Sequence, residues 1–262
     1  MLDLARVRAL VAATRFAHLR HVSQTGSTND DATALLGTPA SAGLVLIAEH
    51  QSAGRGRRER AWIAPPASSL LFTAILPEAI ATTALWAVPF WAALAIAEGI
   101  EQQTDLRVTL QWPNDLLLAG RKCCGILATS RVLGAHAWVG CGVGLNVLRP
   151  AGDAATELAA ITPEPAFLSD SASSVEREPL LAALLQSCDR RFPLLADPQG
   201  VARAWERRAE LAGTPYRIEQ DGTGTFDAVA LRLAEDGSLV VRIGVGERRV
   251  TLADARVVRE PV

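Results

Sequence analysis

Between residues 107 and 147 the chain runs through four short apolar stretches, Arg107–Gln111, Leu116–Leu118, Cys124–Ser130 and Ala135–Val147, separated by Pro-Asn-Asp, Ala-Gly-Arg-Lys and Leu-Gly turns. Links this short favour antiparallel pairing, because a parallel crossover needs a dozen or more residues. A sheet built from neighbours in sequence is therefore the strongest constraint on the fold. Further strand-like runs stand at Leu44–Ala48 and Leu70–Leu76.

Helical patterns surround these strands. Ser27-Thr28-Asn29 reads as an N-cap cluster, with Asp30 and Asp31 in the first turn and Gly37 as the stop. Residues 83–103 form a longer apolar helix carrying Trp86, Phe90 and Trp91, with Pro89 in its first turn. The stretch 149–175, rich in Pro, Ala and Ser, reads as a long surface connection with one set of helical turns. Two more helices are expected near 179–192 and 199–212, the second stopped by Gly213. From 214 onward short strands alternate with Asp-Gly and Gly-rich turns, the last at Arg256–Arg259, which fits a small all-β barrel. The expected organisation is a mixed α/β (α+β) domain over 1–213, with a largely antiparallel sheet and helices packed against it, followed by a small β-barrel over 214–262.

Charge and cysteine usage exclude several classes of function. The 26 basic residues nearly cancel the 28 acidic ones, so the chain lacks the electrostatic footprint of a nucleic-acid binder. The cysteines at 123, 124, 141 and 188 have neither zinc spacing nor the density of a secreted disulfide framework, and they read as small apolar fillers in a reducing compartment. The apolar run Ala84–Ala97 is interrupted by Pro89 and falls short of the roughly 20 residues of a membrane span. With no signal-peptide pattern at the start, a cytoplasmic location is expected.

Among the 26 basic residues there is a single lysine, Lys122. Codon bias toward arginine explains this as readily as a position that needs a compact ammonium on a flexible stem. Three segments bear on the choice. Gly54-Arg55-Gly56-Arg57-Arg58-Glu59-Arg60-Ala61-Trp62 combines glycines that let a ligand approach the backbone, guanidinium forks that match anionic oxygens, and an indole face. It suits an anionic ligand that includes a nucleotide, although an exposed basic loop or an RNA-contacting tract would have the same composition. Trp112-Pro113-Asn114-Asp115, followed by Lys122 and Gly125, brings an amide, a carboxylate and the lone ammonium together if the two segments form a bend and the next strand. Asn-Asp chosen only for turn chemistry would read the same way. Gly140-Cys141-Gly142-Val143-Gly144-Leu145-Asn146 lacks the third glycine and the following helix of a dinucleotide fingerprint, so its glycines suggest close approach within a strand. The four histidines show no metal spacing.

Taken together, these segments resemble the biotin protein ligases. The matches are Ser27-Thr28-Asn29, Gln51 with Gly54-Arg55-Gly56-Arg57 through Trp62, Trp112-Pro113-Asn114-Asp115, Arg121-Lys122 with Gly125-Ile126-Leu127, and Gly142-Val143-Gly144-Leu145-Asn146, in the family's order and spacing. The resemblance implies a catalytic domain related to class II aminoacyl-tRNA synthetases and a C-terminal barrel of SH3-like type. It also implies ATP-dependent conversion of biotin to biotinyl-5'-AMP, then transfer to a lysine of a biotin carboxyl carrier protein, with Mg2+ accompanying ATP.

By the family match, Ser27, Thr28, Asn29, Gln51, Gly54, Arg55, Gly56, Arg57 and Lys122 would bind biotin. Arg57, Arg60, Trp62, Asn114, Asp115 and Asn146 would bind the nucleotide. Lys122 and Arg57 would be catalytic, and Asp115 a Mg2+ ligand. The arginine loop is expected to order around the adenylate. Two features depart from the family pattern: Glu59 stands where the family has glycine, and only 26 residues precede Ser27, too few for the winged-helix DNA-binding domain of bifunctional members. No DNA or membrane partner is expected, and family members occur as monomers and as dimers. A lipoate ligase, or a non-enzymatic biotin or nucleotide regulator, is the alternative.

Overall fold

In the computed structural model, which describes residues 1–58, 60–159, 161–252 and 255–258, the strand series of 107–147 forms half of one large sheet. In chain order the elements are α1 (Leu4–Val11), β1 (His18–Thr25), α2 (Thr28–Leu35), β2 (Leu44–Gln51), β3 (Ser69–Ile75), β4 (Ile80–Ala81) and α3 (Val88–Gln103). Then come β5 (Thr109–Gln111), β6 (Asp115–Leu118), β7 (Arg121–Leu133), β8 (His136–Asn146), α4 (Asp153–Ala159), α5 (Arg177–Arg191) and α6 (Pro198–Ala209). The chain closes with β9 (Pro215–Gln220), β10 (Gly224–Leu233), β11 (Leu239–Ile243), β12 (Gly246–Val250) and β13 (Ala255–Val258).

The large sheet has the order β1-β2-β3-β8-β7-β6-β5, with β4 added to β8. Its one parallel pair is β1 with β2, and every other neighbour is antiparallel. The β6–β7 link turns through Ala119 and Gly120, both at positive φ (48° and 76°), as a tight two-residue hairpin requires. Sequence periodicity misses β1 because only Leu19 is buried along it, which suits a polar edge strand. It misses α1 for a similar reason, since only Val7 and Val11 are buried there.

The two faces of the sheet do different work. Val45, Ile47, Leu70, Phe72, Val143 and Leu145 point to one face, where α3 and α5 complete the main core. α3 crosses α5 at Gly99, where a Cβ would lie 2.8 Å from the Leu184 Cα, so a glycine sets how closely the helices pack. The apolar span Thr82–Gln103 is long enough for a bilayer, but 72% of its most apolar window is buried inside the protein. The opposite face carries α2, over a small cluster of Ala32, Leu36, Leu44, Leu46 and Ile75. Ser27 stands at the N-cap of α2 yet makes no side-chain capping bond, contrary to the cap expected from its sequence. α6 stops three residues before the expected limit, where Glu210 turns left-handed at φ 50°.

β9–β13 form a second, five-stranded antiparallel sheet in the order β12-β11-β10-β9-β13. Of the last expected strand, Arg259 lies outside the described residues. The second sheet shares the main core. Gly237, at φ +78, seats its turn so close to Trp86 and Phe90 that a Cβ would come within 2.7 Å of the Trp86 ring, and the Trp112 indole donates to the Gly237 carbonyl at 3.1 Å.

A buried ion pair joins α5 to the first sheet. Arg177 of α5 meets Glu49 of β2 at 2.8 Å, with both side chains under 10% exposed, and the Leu2 N–H donates to the same carboxylate at 2.5 Å. Burial pushes the Glu49 carboxyl up, but the Arg177 hydrogen bond and the Leu2 N–H outweigh it and hold the group below its ordinary value. A carboxyl lowered in this way stabilises the fold above its unfolded pKa of about 4.3, and that contribution is lost as the pH falls through the folded value. Arg177→Met leaves the carboxylate buried with only the Leu2 N–H and the His21 Nε2, 3.3 Å away, beside it. It is expected to cost about 3–5 kcal/mol at neutral pH in urea unfolding, with most of that recovered in the Glu49→Gln, Arg177→Met double variant. A loss below about 1 kcal/mol would show that water or another cation takes over the pairing.

Candidate active site

On the face opposite α3 the sheet has a bare floor. Gly125 of β7 lies opposite Gly144 of β8, and Gly142 lies two residues further along β8. Added Cβ atoms at Gly125 and Gly144 would come within 2.8 and 2.4 Å of the Trp62 ring, and one at Gly142 within 2.2 Å of the Asn29 amide oxygen. The glycines are there because side chains from elsewhere rest directly on the strands.

A bulge places the lysine over this floor. Leu116 pairs with Cys124 and Leu117 with Lys122, so Cys123 is an extra residue on β7. Strict alternation would put Lys122 on the same face as Cys124. The bulge instead buries both cysteines in the core and leaves Lys122 on the cleft side with Gly125. The Lys122 ammonium sits 2.6 Å from the Asp115 carboxylate and 5.4 Å from the centre of the Trp62 ring. Burial raises the Cys124 thiol well above its usual value and the Cys141 thiol to about 12, so these sulfurs stay protonated as packing groups.

At one end of the floor a polar network joins α2, β2 and β3. Gln51 Oε1 accepts from the Thr28 N–H at 2.7 Å and from the Thr28 hydroxyl at 3.0 Å. The Thr73 hydroxyl lies 2.9 Å from the Thr28 hydroxyl and 2.8 Å from Asn29 Oδ1, while Asn29 Nδ2 donates to the Leu127 carbonyl at 3.0 Å. These groups are prepared for a polar ligand because their orientations are already fixed by bonds to one another.

The arginine loop closes over the floor as a hairpin, with Gly56 N–H donating to Arg60 O at 2.6 Å and Trp62 N–H to Gly54 O at 2.8 Å. Arg55 reaches Asp30 at 3.1 Å. Arg57 donates to the Leu252 carbonyl and Arg58 pairs with Asp221, so both guanidiniums touch links between strands of the second sheet. Burial lowers the Arg57 guanidinium from its ordinary value, with Asp115 opposing that shift and Arg58 adding to it. The group still carries its charge at neutral pH.

These parts enclose a cavity of about 250 Å³ that brings together Ser27, Thr28, Asn29, Gln51, Arg55, Gly56, Arg57, Arg60, Trp62, Asn114, Asp115, Lys122 and Asn146. Gly54 is the exception: it faces an adjoining groove beside His50 and Pro65. Glu59 lies outside the described residues. Asn114 spends its amide holding the neighbouring strand, with Nδ2 donating to Ile126 O at 2.6 Å. Asn146 Nδ2 likewise donates to Ala166 O at 3.1 Å.

Sequence reasoning missed Thr73, whose hydroxyl ties the polar network together, and its signal was a single polar residue inside the apolar run Leu70–Leu76. It also missed the wall formed by Ile161, Thr162, Pro163 and Pro165, and Val257 of the second sheet. Among the described residues no group of three His, Cys, Asp or Glu converges to hold a metal.

Comparison with known proteins gives this geometry its context. Residues 22–146 match the model of the Biotin/lipoate A/B protein ligase family. The chain is 32% identical over 240 residues to the biotin--[acetyl-CoA-carboxylase] ligase of Paracoccus denitrificans, covering 89% of this chain and 98% of that protein. It is 30% identical over 247 residues to the Mycobacterium tuberculosis protein of the same name, covering 91% and 88%. The biotin protein ligase from Aquifex aeolicus, solved in complex with biotin and ATP, shares the fold with a TM-score of 0.72 at 19% identity, covering 93% of this chain and 99% of that one. Relatives at this level of identity, aligned over nearly their whole length, place the chain in the biotin protein ligase family.

Proposed function

We propose that this chain joins biotin to ATP as biotinyl-5'-AMP and passes the biotinyl group to a lysine of a biotin carboxyl carrier protein. The observation that carries the reading is the meeting of Arg57 and Lys122, from distant stretches of sequence, in one cavity whose far end holds the Thr28–Asn29–Gln51 network. In the first step a carboxylate oxygen bonds to the α-phosphorus of ATP and the bond to pyrophosphate breaks. In the second, a lysine amine bonds to the acyl carbon, AMP leaves with the electron pair, and the amine loses its proton.

Repulsion between a carboxylate and a polyphosphate is the obstacle in the first step. Arg57 and Lys122 offset it in a partly desolvated cleft, where fixed cations act more strongly than in water. Asp115 holds the ammonium in place while using one of its three hydrogens. Ser27, Thr28 and Gln51 serve the ureido end of biotin, Asn29 shapes the floor beneath it, and Arg55 and Gly56 close over the carboxylate end. Trp62 covers the adenine, with Arg60 and the Asn114 and Asn146 strand ends beside it.

Mg2+ is expected with the phosphates of ATP. The donor set does not fit a metal site built by the protein, since Asp115 stands beside an ammonium at 2.6 Å and no carboxylate cluster surrounds it among the described residues. No step above is drawn through the metal.

The decisive measurement is mass spectrometry of a carrier domain incubated with the protein, ATP and either biotin or lipoate. Addition of one biotinyl group to one lysine is expected; turnover with lipoate alone, or biotin binding without transfer, would overturn the reading. Lys122→Arg is expected to keep the urea midpoint while turnover falls about a hundred- to thousandfold, because a planar fork cannot keep both the Asp115 contact and the place beside the indole. Near-wild-type turnover would reduce the single lysine to codon bias. Gly142→Ala forces the Asn29 amide away from Thr73 and Leu127, and a biotin affinity weakened by roughly tenfold or more is expected in calorimetry. An unchanged affinity would remove this network from the biotin site.

A further inference from the structure

The cavity wall at residues 161–166 is held by a cluster of charges that the reaction as described does not use. Arg149, three residues beyond β8, grips Asp170 with both edges of its fork, Nε to Oδ1 at 2.5 Å and Nη2 to Oδ2 at 2.7 Å. Its Nη1 reaches Glu164 at 2.8 Å and its Nη2 also reaches the Pro165 carbonyl at 3.2 Å. Arg121, the residue before Lys122, joins the same two carboxylates at 3.3 and 3.4 Å. The Ala166 N–H donates to the Lys122 carbonyl at 2.9 Å, and its carbonyl accepts from Asn146 at 3.1 Å. The wall is thus tied to both β7 and β8.

A planar fork gripping one carboxylate in two places, with a third bond to a second carboxylate, is a rigid clamp, whereas a scattered surface pair is not. Burial pushes the Asp170 carboxyl up, yet the Arg149 bonds and the Phe167 N–H hold it below its ordinary value. Like the arginine loop, the clamped segment carries no regular helix or strand: Ile161, Thr162, Pro163 and Pro165 line the cleft from a connection between α4 and the 3-10 turn at Leu168–Asp170. Left to itself, such a connection would sample many conformations, and ordering it on ligand binding would weaken affinity.

The wall stands at the Asn146 end of β8. The polar network stands at Gly142, four residues away, or roughly 13 Å along a strand.

We propose that Arg149 is a positioning residue: by clamping Asp170 and Glu164 it keeps residues 161–166 as a prebuilt wall at the end of the cleft away from the Thr28–Asn29–Gln51 network, and so sets the affinity for the nucleotide. The assignment of the nucleotide to that end rests on the ligase reading above. Arg149 is not among the residues lining the cleft, so it acts on the nucleotide end through the wall, whose Ala166 N–H donates to the Lys122 carbonyl.

The test compares wild type, Arg149→Met and Arg149→Lys in steady-state pyrophosphate release, varying ATP and biotin separately. Hydrogen exchange is followed at the amides of 161–168. In Arg149→Met the KM for ATP is expected to rise roughly five- to tenfold while the KM for biotin and kcat stay within about twofold, with faster exchange at Ala166 and Phe167. Arg149→Lys, which keeps the charge but loses the fork, is expected to recover only part of the ATP effect. Adding Asp170→Asn to Arg149→Met is expected to raise the ATP KM little further, as coupled partners do.

Equal increases in both KM values, or faster exchange with an unchanged KM for ATP, would overturn the proposal while leaving the ligase reading intact. A wild-type protein that releases no pyrophosphate from ATP with biotin would overturn the ligase reading itself, and the proposal with it.

Discussion

The extra residue at Cys123 decides which side of the sheet the chemistry stands on. Side chains on a strand alternate, so a regular β7 would send Lys122 to the face of Cys124, where α3 packs and an ammonium would have to be desolvated without a partner. One inserted residue reverses this. Two cysteines go into the core, and the only lysine of the chain reaches the cleft beside Asp115, Gly125 and Trp62. A bulge raises the local twist and re-aims one side chain at the cost of one ladder bond, a small cost in a strand as long as Arg121–Leu133.

The division of labour between the faces follows from the same point. One face is filled by α3 and α5 and supplies the stability of a continuous core that the second sheet also joins. The other is left shallow at its centre: three glycines on β7 and β8 put no side chains there, and the functional groups come from the strand positions around them, the arginine loop and helix α2. A floor made of backbone does not change shape when ligand arrives, so recognition is left to groups whose positions are set by bonds elsewhere, such as Thr28 by Gln51 and Asn29 by Leu127.

Much of this was legible in the sequence, and the unread parts have identifiable physical causes. The four strands from 107 to 147, the long apolar helix and the change of character after 213 follow from periodicity and turn chemistry, which are local. The polar edge strand β1 and the short helix α1 bury too few residues to leave a periodic signal. The convergence of Arg57 with Lys122 was available only through the family resemblance, since nothing local links residues 57 and 122. The bulge was invisible because Cys-Cys is equally consistent with a regular strand. The wall at 161–165 and the contacts of Arg57 and Arg58 with the links of the second sheet depend on tertiary packing between segments separated by up to 195 residues, and composition carries no trace of them.

The partner an arginine holds sets how readily an incoming anion recruits it, and Arg57 differs in this from the arginines paired within the scaffold. Arg177 is committed to Glu49, Arg149 to Asp170 and Glu164, and Arg190 and Arg191 to Glu98, all through charge-assisted bonds to carboxylates. An incoming anion would have to displace a full negative charge to recruit any of them. Arg57 instead rests on the neutral carbonyl of Leu252, a partner that a carboxylate or phosphate outcompetes, and its burial means that the exchange takes place where charge is poorly screened. Lys122 meets the same requirement by another route. Asp115 holds it, but an ammonium with three donors keeps two to offer, whereas a guanidinium locked face to face with a carboxylate would have presented its fork to the wrong partner. The cleft therefore combines one cation that can change partners with one that can hold two partners at once, which is what bringing two anions into contact requires.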